Sequence, residues 1–427
     1  MSDAPHLIRP ALRPGLEAVP AEAEGVGPVF VLKDALRLAR PMVVPAAGLA
    51  VAELLDGTRE LEAVHEEMER RYGFAPSPAQ LRELVGALDE ACLLCGPRVD
   101  AAFRAFREAP AREPACIGSY PGDPAELRAF LAEQWTREGG PGGAPGPIAG
   151  PPLRALISPH IDPHRGGHAY AWAWRAVAEA PPADLYVIFG TSHTGTAPLD
   201  GPPRPGRPAP LYALTRKTFQ TPLGDVPVDL AALERLLAAY EGPDDLFAGE
   251  LHHRGEHSIE FQALYLRAVS DPARTPRILP ILCGGLHELV AAPSQDPRLQ
   301  AFHAALRKAL APLDPARVCF VAGIDLAHVG EQFGEEPVSA EDVARLGELD
   351  RRTLSLATEQ RAPDAVDADI RRGGDPRNIC GHAPLVAMLE AVRGEALRGD
   401  LLYYGAWHDG ASAVSFASAA YRPEEGP

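Results

Sequence analysis

From residue 153 onward, short apolar runs alternate with stretches of helical periodicity, and this alternation narrows the accessible folds more than any other feature of the chain. The apolar runs cover residues 153–158, 185–190, 278–283 and 318–323. Between them, apolar side chains at 3–4-residue spacing predict helices over about 168–179, 230–240, 258–269 and 297–311. Buried strands interleaved with helices predict an α/β fold: a mixed, mostly parallel sheet flanked by helices on both faces. Two more strand-like runs with a glycine between them, within 401–421, are expected to close the sheet in mixed orientation.

In such sheets the chemistry collects beyond the carboxyl ends of the strands. The first run delivers Pro159-His160 and the second Thr191-Ser192-His193. A later segment, Asn378-Ile379-Cys380-Gly381-His382, adds a thiol. Two imidazoles and a thiolate suit a borderline divalent cation such as iron or zinc, and they leave coordination positions open. Seven of the 14 histidines lie between His160 and His257 (His160, His164, His168, His193, His252, His253, His257), a density that core packing does not require.

The rest of the composition excludes several function classes. A net charge of −17 argues against nucleic acid and against an anionic membrane surface as partners. The longest apolar candidate, 42–55, is broken by Pro45, Gly48 and Glu53 and is too short to cross a bilayer. Met1-Ser2-Asp3-Ala4-Pro5 opens without a basic stretch leading into an apolar one, so a cytoplasmic protein is expected. Six cysteines in 427 residues are too few for a disulfide framework. Cys283 and Cys319 sit in apolar runs, and Cys92-Leu93-Leu94-Cys95 closes an amphipathic helix with no second Cys or His pair nearby to complete a zinc site.

At this length two domains are expected. Residues 1–97 read as a small winged-helix-like domain: a short strand at 29–33 and helices at 46–55, from about 60 to 72, and from 78 through Leu93-Leu94. Residues 98–113, rich in charge, Ala and Pro, read as a linker, and 114–427 as the α/β metal-binding domain. In the first domain, Leu55-Asp56-Gly57-Thr58-Arg59-Glu60-Leu61, Tyr72-Gly73 and Leu88-Asp89-Glu90-Ala91-Cys92-Leu93-Leu94 resemble the PqqD-like family. That resemblance implies a module that recruits a leader peptide to a modifying enzyme; a generic helical appendage is the competing expectation.

Further pieces end near the same rim of the expected sheet. Glu256-His257-Ser258-Ile259-Glu260 opens a helix, and Gly323-Ile324-Asp325-Leu326-Ala327-His328 follows the fourth run. Asp325 and His328 supply the carboxylate and imidazole that proton transfer beside a metal needs. With Gly118-Ser119-Tyr120-Pro121, Ile157-Ser158-Pro159-His160, Gly190-Thr191-Ser192-His193, Pro280-Ile281-Leu282 and Ile379-Cys380-Gly381, the ordered set over 114–421 resembles the MEMO-like family, called AmmeMemoRadiSam system protein B in bacteria and archaea.

The resemblance implies a fold related to class III extradiol dioxygenases. It places the metal ligands on His160, His193 and Cys380, with Cys380 where those dioxygenases carry a glutamate. It assigns acid/base work to His328 and pocket-lining positions to Asp325 and His257, beside which Glu256 is expected to orient water or substrate. A thiolate is a softer donor than a carboxylate, so ring cleavage does not carry over. The sequence also departs from the family at Ile161-Asp162-Pro163-His164, which is expected to set Asp162 and His164 beside the first ligand as a different pocket or a second ligand set.

These readings converge on a mononuclear metal-dependent redox enzyme or oxygenase, with a divalent cation, iron before zinc or copper. It would act on a small molecule or on a peptide recruited by the N-terminal module. A zinc-dependent hydrolase with Glu256 or Asp325 as base, and a non-catalytic metal-binding or interaction protein, are the alternatives.

Overall fold

The structure, a computed structural model, describes residues 4–23, 27–199, 208–286, 289 and 291–424. The opening residues Met1, Ser2 and Asp3 and the last three residues of the expected 114–427 domain lie outside the described residues. The chain divides into two compact units, residues 1–109 with 198–206, and residues 110–197 with 207–427. Among the described residues, no helix is long and apolar enough to cross a membrane.

The first unit opens with a single helical turn, α1 (Pro5–Ile8), followed by an antiparallel sheet of β1 (Leu16–Ala23), β2 (Gly27–Asp34) and β3 (Met42–Pro45). Helices α2 (Ala46–Leu54), α3 (Leu61–Tyr72), α4 (Pro78–Glu90) and α5 (Pro97–Glu108) follow. Ser77 and Gln80 form a reciprocal capping box that starts α4. Leu32, Val44, Val51, Val64, Met68, Leu81, Val85 and Leu88 form the core.

Two expectations are corrected here. Helix α4 stops at Glu90 because Cys92 takes a positive φ of 57°, so Leu93 and Leu94 join the core from a turn. The stretch expected as a linker is structured: Val99, Phe103 and Phe106 recur at helical spacing and bury one face of α5. Beyond it, β4 (Ala111–Arg112) belongs to the second unit.

In the second unit, α6 (Pro124–Thr136) is capped by Asp123 and precedes the main sheet. Its strands are β5 (Ala155–Ser158), β6 (Leu185–Thr191), β7 (Tyr212–Leu214), β9 (Arg277–Cys283), β10 (Val318–Gly323), β11 (His328–Gly330), β12 (Leu397–His408) and β13 (Ser412–Pro423). Strand β8 (Thr218–Phe219) pairs separately with β4. The core of the sheet is parallel, in the order β5-β10-β6-β9. Strand β7 adds antiparallel to β9, and β13 adds antiparallel to β5, carrying β11 and β12. The expected mixed, mostly parallel sheet is present.

The register matters for the site. Gly323 at the end of β10 lies opposite Ser158 on one side and Gly190 on the other. The loops after all three strands therefore leave the sheet at one level.

Helices α7 (Pro163–Ala178) and α9 (Ser258–Val269) pack on the sheet together, with Tyr170 and Tyr265 stacked between them at 4.5 Å. Helix α13 (His382–Ala391) also packs on β6, β9 and β10, and α10 (Pro297–Leu310) and α12 (Pro363–Ile370) pack against it, while α8 (Leu230–Ala239) packs on α10. With α11 (Ala340–Ser355), α12 and α13 were not expected from periodicity. Residues Pro384 to Ala391 of α13 are all buried, so no amphipathic stripe marks it in the sequence.

One buried ion pair anchors the start of this unit. Arg112 Nη1 lies 2.6 Å from Glu260 Oε2, and Glu260 also accepts from the Tyr120 hydroxyl at 2.5 Å and from the Ala115 and Cys116 amides. Burial pushes the Glu260 carboxyl up, but the Arg112 guanidinium, the Tyr120 hydroxyl and the Ala115 amide together outweigh it and hold the group below the usual range. Substituting Arg112→Met leaves a buried carboxylate without its cation, which costs about 3–5 kcal/mol. A lowered urea midpoint for R112M, with partial recovery in R112M/E260Q, is the expected outcome.

Candidate metal centre

The strand-end loops bring the predicted residues into one crevice. His160 leaves β5 and is 1% exposed. Its Nδ1 lies 2.9 Å from the Gly323 carbonyl, so Nδ1 carries the proton and donates it, and Nε2 faces inward. That Nε2 is 3.1 Å from Cys380 Sγ. His193 leaves β6 with its ring 5.0 Å from that of His160. Ligand atoms of His160, His193 and Cys380 all lie within 4.8 Å of one another. His193 keeps 34% of its side chain open to solvent, so the crevice is reachable from outside.

A second layer of hydrogen bonds fixes these donors. Glu256 is buried, and its carboxylate lies 3.0 Å from His193 Nδ1, leaving His193 Nε2 for the crevice. The same carboxylate accepts from the backbone amides of His193, His257 and Ser258 at 2.8–3.0 Å. It therefore caps the start of α9 while orienting His193. His257 stacks on His193 with ring centroids 4.7 Å apart. Ligand atoms of His193, Glu256 and His257 also lie within 4.8 Å of one another, but Glu256 is already committed to three amides and an imidazole.

Asp325 follows β10 and is buried; its Oδ1 accepts from the His160 amide at 3.0 Å, and its Oδ2 is 3.7 Å from His160 Nε2. His328 donates Nδ1–H to the Leu326 carbonyl at 3.0 Å, which turns Nε2 toward the Cys380 thiol. The Cys380 loop is held by Thr191 Oγ1, which donates to the Cys380 carbonyl, and by the buried Arg377, paired with Asp350 at 3.0 Å. His382, next to Gly381, is fixed by Asp367 at 2.8 Å.

These groups polarise one another. Burial alone would raise the Cys380 thiol, yet the charges of His160 and His328 and hydrogen bonds from His160 and His193 hold it well below the ordinary thiol range. Burial works against a charged His328, but the Cys380 and Asp325 charges lift it to about 9. Burial opposes the charged form of His193 as well, and Glu256 and Cys380 raise it well above the usual imidazole value. Burial pushes Asp325 up, and the histidines only partly offset this.

Not every candidate joins the crevice. Asp162 is the N-cap of α7, accepting from the His164 amide at 2.8 Å, and His164 is exposed against the Phe130 ring at 4.9 Å. Neither stands in a metal-ligating group among the described residues. Asp-Pro is a helix start, and this reading outweighs the second ligand set expected there. His168 contacts Tyr403, His252 bonds Thr194 and the Ala197 carbonyl, and His253 bonds the Ala213 carbonyl. Only His160, His193 and His257 of the dense histidine stretch meet.

Other contributors carried no signal of their own. Gln262 donates to the Pro159 carbonyl at 2.8 Å, one residue before His160. A Cβ at Gly381 would strike the Asp325 carbonyl and Ile324, and one at Gly190 would meet Ile259 at 2.5 Å. Glycine at these two positions lets the Cys380 loop and the start of α9 close on the strand ends.

Residues 112–420 match the family model described as Memo-like protein. The chain belongs to the Memo-like family. It is 32% identical over 345 residues to a MEMO1 family protein of Thermus thermophilus, covering 78% of this chain and 90% of that protein. It is 24% identical over 409 residues to a MEMO1 family protein of Aquifex aeolicus, covering 92% and 96%, and 30% identical over 304 residues to one of Thermococcus onnurineus, covering 69% and 91%. The family match spans every residue of the crevice in this Memo-like chain, from His160 to Cys380.

A thiol held as thiolate alkylates at neutral pH. After chelation, iodoacetamide is expected to label Cys380 well before the buried Cys116, Cys283 and Cys319, and more slowly in H328Q; peptide mass spectrometry reads both.

Proposed function

We propose that the crevice holds one divalent cation on His160, His193 and Cys380, and that this Memo-like protein is a metal-dependent redox enzyme. The observation that carries the reading is the convergence of two outward-anchored imidazoles on one stabilised thiolate. Both His Nδ1 atoms are committed to oxygen partners, so both Nε2 atoms offer lone pairs to the same point. Three protein donors leave further positions for substrate or oxygen, as in catalytic sites and unlike closed structural ones. A His2Cys set fits iron, zinc and copper; iron is the assignment we favour, and it would supply one-electron and oxygen chemistry when bound. Replacement of the carboxylate of related class III extradiol dioxygenases by Cys380 argues for an outcome other than ring cleavage.

The chain's own groups divide the remaining work. Glu256 orients His193, and Asp325 fixes the His160 backbone. His328, anchored through Nδ1, holds or moves a proton at Nε2. His257, 31% exposed, faces the opening and contacts substrate or water there. The substrate is a small molecule or a peptide. A three-stranded sheet followed by helices, with Val43 60% exposed on strand β3, supports a winged-helix-like, PqqD-like module that presents a leader peptide. A cytoplasmic setting would keep Cys380 reduced.

The raised Asp325 carboxyl favours a second reading, a zinc-dependent hydrolase with Asp325 as the base. Elemental analysis after anaerobic purification separates the two. About one iron per chain, lost in C380S and H160Q, with reductant-dependent oxygen uptake, is the expected result; about one zinc without oxygen uptake would move the assignment to hydrolysis. Labelled leader peptides that fail to bind the full-length protein would remove the peptide part and leave the metal assignment standing.

A further inference from the structure

A cleft of about 190 Å³ lies between α6 and the C-terminal turn of α9. Arg267, which lines it, is nine residues past Ser258, roughly 14 Å along the helix from the metal crevice at 1.5 Å per residue. Leu131, Trp135 and Leu223 give it apolar walls, and Arg128, Arg267 and Ser270 are its polar side chains. Among the described residues, no Asp or Glu lines it. Ser270 is already satisfied, its hydroxyl donating to the Leu266 carbonyl at 2.6 Å.

The two guanidiniums are not. Among the described residues, Arg128 Nη1 reaches only the Pro124 carbonyl at 3.3 Å and Arg267 Nη2 only the Pro272 carbonyl at 3.5 Å, both beyond the usual hydrogen-bond range. Most of the five N–H donors on each fork remain available. Arg128 is exposed and Arg267 half-buried, whereas the more enclosed Arg112, Arg298 and Arg377 of this unit are paired with Glu260, Asp244 and Asp350. In a chain of net charge −17, Arg128 and Arg267 thus place two guanidinium side chains on the lining of one largely apolar cleft.

We propose that this cleft binds a small carboxylate built on a single planar ring. Planar guanidinium forks match a carboxylate in two-bond geometry, and an apolar wall bearing an indole suits a ring. The volume falls below the ~300–1,000 Å³ of sites for drug-sized ligands, which restricts the occupant to a small body. The site is separate from the metal ligands, so its occupancy does not depend on the reading given above.

Calorimetric titration of the full-length protein with benzoate, benzamide and inorganic phosphate tests this. Benzoate is expected to bind with a Kd of about 1 mM or tighter, benzamide and phosphate at least tenfold more weakly. R128Q and R267Q should each weaken benzoate at least tenfold, whereas C380S, which removes a metal ligand, should leave it unchanged. Absence of benzoate binding overturns the proposal. So does benzoate affinity that is lost in C380S but kept in R128Q, which would place the anion on the metal. A drop in melting temperature in R267Q without a change in benzoate affinity would reduce Arg267 to a partner of the α9 C-terminus, and would also overturn it.

Discussion

The in-register parallel pairing of β5, β10 and β6 is the constraint on which the crevice depends. Because Gly323 sits opposite both Ser158 and Gly190, the three chains leave the sheet side by side. Two residues later, or three, each has delivered a working side chain: His160, Asp325 and His193. A register slip would turn the alternating side chains to the opposite face and separate these loops. Burial on both sides, by α7 and α9 and by α13, specifies that register strongly.

Charge balance then makes the crevice tolerable. A thiolate, two carboxylates and four imidazoles gathered in a largely buried space would be unfavourable as separate charges. They are arranged in alternation: Glu256 against His193 and His257, Cys380 against His160 and His328, Asp325 against His160. Each anion has cations as neighbours, and most remaining polar atoms have backbone partners. The hydrogen bonds at Nδ1 of His160 and His193 meanwhile turn both Nε2 atoms inward, so the packing and the ligand geometry have a single cause.

Much of this was legible in the chain. The four apolar runs, their intervening helices and the residues immediately after them predict both the parallel core and the meeting of His160 with His193, because strand length and helical period are local properties. Position in the chain did not reveal α13, whose faces are all buried and so show no stripe. Nor did it separate a helix cap from a ligand at Asp162, since carboxylates serve both purposes and only the start of α7 at Pro163 decides between them. The segment 98–113 looked like a linker because its charge masked Val99, Phe103 and Phe106.

The sequence by itself determined the Memo-like α/β alternation, the sparse thiols and the residue types available at the strand ends, since these follow from composition and short-range periodicity. Only the tertiary structure decided which of the clustered histidines meet. It brought Cys380 to His160 across 220 positions and committed Glu256 to the ring and amide of His193 and to the His257 and Ser258 amides that begin α9. Those pairings depend on glycines that permit close approach and on helices that bury both faces of the sheet, and such long-range contacts leave no periodic trace in the order of residues.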